Sequence, residues 1–166
     1  TLNATASAAF KTLFVENHLG KVRRSEDNVT YNVGAQFDLS DTAMVYLTYG
    51  TGVKNGGFNA RGAAPGVPVE FDEENSSTIE LGLKSTWFGR RLVFNADIYR
   101  MKLTNFQDAA VNPITGLGFV VANVGDRRAQ GFEAEVTARP TDELTLRGSL
   151  GYTDGEYTDY PAGQCN

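Results

Sequence analysis

The stretch that most restricts this chain is Ser76 to Leu103, SSTIELGLKSTWFGRRLVFNADIYRMKL. On its first arm Ile79, Leu81, Leu83 and Trp87 fall on one side, with Thr78, Glu80, Lys84 and Thr86 on the other. After Gly89-Arg90, Leu92, Phe94, Ala96 and Ile98 alternate with Asn95, Asp97 and Tyr99. Such period-two alternation predicts two β-strands, each with one apolar and one polar face. A tight turn at Gly89-Arg90 sets Trp87 opposite Leu92, Ser85 opposite Phe94, Leu83 opposite Ala96 and Lys84 opposite Asn95. Apolar then meets apolar and polar meets polar throughout the hairpin.

The same signature recurs along the chain. NVTYNVGAQF from Asn28 places Val29, Tyr31, Val33, Ala35 and Phe37 on one face, and AMVYLTYGTGV does so with Ala43, Val45, Leu47 and Tyr49. Phe132, Ala134, Val136 and Ala138 alternate with Glu133, Glu135 and Thr137, and Leu144, Leu146, Leu150 and Tyr152 with Thr145, Arg147, Ser149 and Thr153. The pattern predicts about six strands and no convincing helix. In the core of the strands the apolar face carries no charge, and Glu80, Lys84, Asp97, Glu133, Glu135 and Arg147 share the other. A turn at Pro140-Thr141-Asp142 that matches Ala138 with Leu144 also sets Glu135 opposite Arg147, a predicted ion pair.

Glycine and proline punctuate the rest. Lys54 to Asn75 and Thr104 to Gly118 read as irregular loops, the second containing Asn112-Pro113, and DGEYTDYPAGQCN at the end also has loop composition. The connections at 38–42, 88–91 and 139–143 are short, whereas those at 52–77, 105–118 and from 153 onward are long. Because successive strands reverse direction, short turns gather at one end and long loops at the other. Membrane β-barrels have this asymmetry. Phe37, Trp87 and Phe88 lie toward the short-turn end and Tyr31, Tyr49, Phe132 and Tyr152 toward the other, as interface girdles would. A soluble antiparallel β-sheet binding module has the same alternation and stands as the alternative. It would use shorter strands and more even loops.

Composition excludes several functions. A formal net charge of -5 gives no reason to expect nucleic acid, phosphate or an anionic surface as a partner. No apolar run approaches the roughly 18 residues of a membrane helix. One histidine, His18, in a charged loop makes neither a metal site nor a catalytic constellation, so no enzyme activity and no cofactor are expected. The acidic run Glu70, Asp72, Glu73 and Glu74 lacks the spacing of a calcium loop. Gly56-Gly57 lacks the following lysine and helix of a phosphate loop and reads as a tight path out of a strand. Asp126 beside Arg127-Arg128 suits either an ion pair in the wall or an anionic ligand.

Four strings in order, TYGTGVKNGGFN, FDEENSSTIELGLKS, RLVFNADIYRMKLTNFQ and NVGDRRAQGFEAEV followed by Pro140, resemble the barrel of TonB-dependent outer-membrane receptors. Gly52, Lys54, Gly56-Gly57-Phe58-Asn59, Phe71, Glu74, Glu80, Gly82, Lys84, Asn95, Gln107, Asn123, Gly125, Gly131 and Glu133 fall where that family's pattern expects them. Val53, Glu73 and Ile79 depart mildly from it. The resemblance runs from about Lys21 to Tyr157.

The resemblance implies an antiparallel up-and-down transmembrane β-barrel in the bacterial outer membrane, in contact with outer-membrane lipid. It implies import of a ferric siderophore, cobalamin or another scarce ligand, driven through the TonB complex. Residues 1–27 are expected as loop or partial strand, the barrel strands within 28–159 and loop at 160–166, with no plug domain. About six strands cannot close around a plug, so the chain is expected to be part of a longer receptor. Any disulfide of Cys165 then joins a cysteine outside this sequence, in keeping with an oxidising exterior. Asn55, Phe58, Asn59, Arg61, Arg127 and Arg128 are the candidate ligand-binding residues, and the loops at 55–75 and around Asn112-Pro113 are expected on the side where ligand arrives.

Overall fold

A computed structural model describes residues 23–59, 69–111 and 119–161. His18, Arg61, Asn112-Pro113 and Cys165 lie outside the described residues. The elements are β1 (Asn32–Ser40), β2 (Ala43–Lys54), β3 (Gly57–Phe58), β4 (Glu70–Phe71), β5 (Glu74–Trp87), β6 (Leu92–Val111), β7 (Phe119–Ala138) and β8 (Leu146–Asp159). Six of them form one antiparallel sheet in the order β1-β2-β5-β6-β7-β8, and β3 pairs with β4 apart from it.

The β5–β6 hairpin has the register its alternation predicts, with Trp87 opposite Leu92, Ser85 opposite Phe94, Lys84 opposite Asn95 and Leu83 opposite Ala96. Its turn bonds Arg91 N to Phe88 O at 3.3 Å, and Gly89 and Arg90 have φ of 64° and 70°. Two central residues at positive φ match the right-handed twist of the flanking strands.

Rows of paired residues keep one character from strand to strand. Ala35, Leu47, Leu81, Ile98, Phe132 and Tyr152 form one row across the whole sheet, and Phe37, Val45, Leu83, Ala96, Ala134 and Leu150 form the next on the same face. Between them, on the opposite face, runs Gln36, Tyr46, Gly82, Asp97, Glu133 and Gly151. Among the described residues nothing covers the apolar face. Leu81 is 47 %, Ile98 58 % and Leu150 64 % exposed, whereas the buried apolar side chains among the described residues are Val120 and Val124, above the body of the sheet. A continuous apolar surface of this kind is foreign to a soluble domain.

Three expectations are corrected. The first strand begins at Asn32, and residues 23–31 before it are irregular. The segment after Asp154, loop by composition though inside the range 28–159 expected to hold the strands, continues β8 to Asp159. Partners on β7 hold it there: Glu156 forms an ion pair with Arg128, and the Tyr157 ring meets Arg127. Such contacts override the weak strand propensity of Asp and Gly. Finally, Ala138 pairs with Leu146 and Glu135 with Ser149, so Arg147 lies opposite Thr137 and the predicted Glu135–Arg147 pair is not directly across.

The turn explains this last shift. Arg91 reaches from the neighbouring turn to Pro140 O at 3.3 Å and to Asp142 Oδ1 at 2.9 Å, while Arg139 N donates to Arg91 O at 2.7 Å. The connection is thereby held open over residues 139–145. A slip of two residues leaves every side chain on its predicted face.

β6 and β7 each run 20 residues, roughly twice the about 9–11 that a bilayer crossing needs. A bulge between Leu103 and Phe106, with Asn105 at φ 55°, separates the lower hairpin from its upper extension. Bulges bend a strand and sharpen its twist.

Candidate functional site

At the long-loop end β5 begins only at Glu74, whereas β6 continues upward beside it. The end of β2 and the upper part of β6 therefore have no strand between them, and carbonyls facing the gap would be left without donors. Gln107, buried to 5 % exposure, fills the gap. Its Nε2 donates to the carbonyls of Lys54 at 3.3 Å, Asn55 at 3.0 Å and Asp72 at 2.8 Å, and its backbone N donates to Glu74 Oε2 at 2.8 Å. Opposite Gln107 on β7, Asn123 accepts from Asp72 N at 2.7 Å and donates to Asp72 O at 2.9 Å and Asn105 O at 2.8 Å. Two side-chain amides thus replace a missing piece of ladder, as buried main-chain groups require.

The predicted residues Asn55, Phe58 and Asn59 belong to this structure. The Asn55 carbonyl receives Gln107, and its Oδ1 accepts from Asn28 Nδ2 at 3.0 Å. Phe58, half-buried, pairs through its backbone with Glu70. Asn59 accepts from Val121 N and donates to Val121 O, both at 2.8 Å, so its amide imitates one residue of a paired strand. Phe71 lies so close to the two glycines that a Cβ on Gly56 would stand 2.5 Å from its carbonyl oxygen and one on Gly57 2.7 Å from its ring. The tight path read for the two glycines is present.

The acidic run is occupied in the same way. Arg24 binds Glu26, reaches Glu70 Oε1 at 2.6 Å and lies 3.5 Å from Asp72 Oδ1. The hydrogen bond that Arg24 donates to Glu26, ahead of the one it donates to Glu70, raises the guanidinium above its ordinary pKa. Lys54 Nζ stands 4.0 Å from Glu74 Oε2, and Glu73 Oε1 accepts from Asn75 Nδ2 at 3.3 Å. The segment before β1, the long loop and the upper β6–β7 hairpin are tied into one polar rim. Nothing in the sequence singled out Arg24 or Gln107 for it, although Gln107 and Asn123 stood at family positions.

Arg127 and Arg128 part company, as neighbours on a strand must. Arg127 shares the polar face with Leu103 and Tyr157. Its guanidinium lies 5.6 Å from the Phe106 ring centre and 5.7 Å from that of Tyr157, which is 4.6 Å from Tyr160. Among the described residues no carboxylate pairs with it. Set against two rings that themselves meet edge-on at 6.1 Å, it remains available to an anion. Arg128 sits on the apolar-face side with Glu156.

Lower on the polar face, Tyr46 crosses to β5, donates to Glu80 Oε1 at 2.6 Å and lies against Gly82, while Lys84 Nζ is 5.4 Å from the tyrosine ring centre. Tyr99 similarly meets Thr153 Oγ1 at 2.6 Å. A charged, hydrogen-bonded face behind a bare apolar one is the construction of a barrel wall around a wet interior.

Comparison with known proteins agrees with this construction. The sequence model of the family described as "TonB dependent receptor-like, beta-barrel" matches residues 3–164. The chain is 28% identical over 160 residues to the "Probable TonB-dependent siderophore receptor PiuA" of Acinetobacter baumannii, covering 93% of this chain and 20% of that protein. It is 34% identical over 127 residues to the "Ferric-pyoverdine M114 receptor PbuA" of Pseudomonas sp. (strain M114), covering 75% of this chain and 14% of that one. The chain thus spans at most about a fifth of the length of these relatives. Its fold is similar to that of the ferric yersiniabactin uptake receptor FyuA from Yersinia pestis, with a TM-score of 0.63 at 22% identity over 76% of this chain and 18% of that one. It is also similar to the RagAB peptide transporter, with a TM-score of 0.64 at 19% identity over 81% of this chain and 19% of that one. With its unclosed six-stranded sheet, the chain belongs to the TonB-dependent receptor family and is a part of that family's β-barrel.

Proposed function

We propose that this sheet is a sector of the wall of an outer-membrane receptor that imports a ferric siderophore, using energy delivered through TonB. The observation that carries the proposal is the bare apolar face, backed by a charged face and crowned by a fixed rim at the long-loop end. Lipid takes the place of the absent core against Leu81, Leu83, Phe94 and Ile98, and water and ligand meet Glu80, Lys84 and Asp97. A soluble sheet module would need another layer over the same residues.

Siderophore, rather than another cargo, is supported by the two sequence relatives, whose names specify it. The fold alone does not choose, since structural neighbours include peptide and copper transporters. Arg127, against the rings of Phe106 and Tyr157, is the group best suited to an anionic iron chelate. Asn55, Phe58 and Asn59 act by shaping the rim, and Arg61 on the same loop remains a proposed ligand contact.

The test is uptake of radiolabelled iron-siderophore by cells whose only receptor is the full-length protein, with and without TonB. Uptake that needs both, and that falls roughly tenfold or more at low ligand concentration in Arg127→Gln, is the expected result. Uptake indifferent to the receptor and to TonB would overturn the reading.

A further inference from the structure

The apolar face changes character one row above Ile98. The next row carries Arg100, and the row after it sets Lys102 directly opposite Arg128, with Ser77 and Glu156 on the outer sides. Ser77, Arg100, Lys102 and Arg128 border a groove of about 360 Å³ whose remaining lining is Tyr49, Ile79 and Thr158. The groove is continuous below with the apolar rows and lies toward the long-loop end.

Its charge is only partly compensated. Arg100 is exposed and has no ion-pair partner among the described residues. Lys102 Nζ stands 3.9 Å from Asp126 Oδ2 with its side chain 60% exposed, and the other oxygen of Asp126 already accepts from Asn105 N at 3.1 Å. Arg128 is held by Glu156. Asp154 shares the row of Arg100 but stands beyond Gln130, two strands away. Uncommitted N–H donors therefore sit beside Ile79 and Tyr49, in their own row at Arg100 and in the row above at Lys102. The overall negative charge of the chain conceals this local arrangement.

A ligand that fits has an anionic, oxygen-rich head and an apolar tail pointing down the wall. We propose that the groove binds the phosphorylated headgroup of a membrane lipid in the leaflet on the long-loop side. Phosphate oxygens meet Arg100 and Lys102, and an acyl chain lies over Ile79, Leu81 and Ile98. Guanidinium and ammonium donors two residues apart on one strand, with a third cation across, suit a phosphate, which offers oxygens to several donors at once. The apolar floor distinguishes a lipid from free phosphate. This inference rests on the reading of the sheet as a membrane wall.

The experiment uses the full-length receptor in detergent and native mass spectrometry. Added probes are dioleoyl phosphatidate, the matching diacylglycerol and inorganic phosphate. Preferential retention of phosphatidate is expected, reduced roughly tenfold or more in Arg100→Gln/Lys102→Gln at about fivefold per cation, and largely kept in Arg100→Lys. Equal retention of phosphatidate and diacylglycerol, equal retention by the variants, or displacement by inorganic phosphate alone would overturn the lipid site. Insertion is scored separately by protease protection in vesicles. A receptor that inserts without discriminating phosphate sinks only this inference, whereas one that fails to insert sinks the membrane reading with it.

Discussion

The Gln107 side chain ends 2.8 Å from the main-chain carbonyl of Asp72, across the place where β5 has not yet begun. One amide there serves three carbonyls of two segments. Gln107→Ala removes that amide from all three at a buried position, leaving Asp72 O to Asn123 alone, and should cost about 1–3 kcal/mol locally. Hydrogen exchange in the full-length protein should speed up at residues 55–59 and 69–73 and leave β5 and the lower part of β6 protected. Uniform acceleration over the sheet would contradict a role confined to the rim.

Leu83 and Phe94 point outward in the middle of the apolar rows. If lipid covers them, Leu83→Arg or Phe94→Arg costs about 2–4 kcal/mol, measured by denaturant unfolding in vesicles. Asn95→Arg, on the opposite face, should be nearly neutral. Similar costs on both faces would argue against a membrane outside and water inside.

A Cβ placed on Gly82 would lie 2.3 Å from the Tyr46 ring. Gly82→Ala must therefore push the ring aside and break its hydrogen bond to Glu80, at about 1–3 kcal/mol. On Gly148 a Cβ would find Val136 Cγ1 at 3.5 Å, an ordinary contact, so Gly148→Ala should be almost silent in the same unfolding assay. Equal effects would mean that Tyr46 does not rest on Gly82.

The register of the last hairpin can be read by cross-linking. Thr137 and Arg147 are directly opposite, where Cβ atoms stand about 4.5–5.5 Å apart, whereas Glu135 and Arg147 are diagonal at about 7–8 Å. Oxidation should join Thr137→Cys to Arg147→Cys well ahead of Glu135→Cys to Arg147→Cys. The reverse preference would restore the shorter turn.

What could be read in advance followed from local rules. Alternation gave the faces, and the tight turn at Gly89-Arg90 left one pairing for Trp87 and Leu92. The last hairpin escaped because its connection is held by Arg91, far away in sequence and next door in space. The extension of β8 escaped for a similar reason, since Glu156 and Tyr157 are stabilised by Arg128 and Arg127. Gln107 and Asn123 carried no local signal of their role, because their partners are carbonyls on other segments. The separation of Arg127 from Arg128, by contrast, follows from strand parity alone, and treating them as one cationic pair overlooked it.

β1 and β8 stand at the two margins of the sheet, and every residue of both is exposed. Among the described residues neither margin has a partner strand, and each offers an open ladder of amides and carbonyls, flanked by bare apolar side chains. Such edges are templates for another copy of the same strand. Left by itself in water, the sheet has no means of stopping its own growth, and the same hydrogen bonds that shape a barrel would stack chain upon chain into cross-β aggregates. Closure of the barrel is therefore also the family's protection against self-assembly.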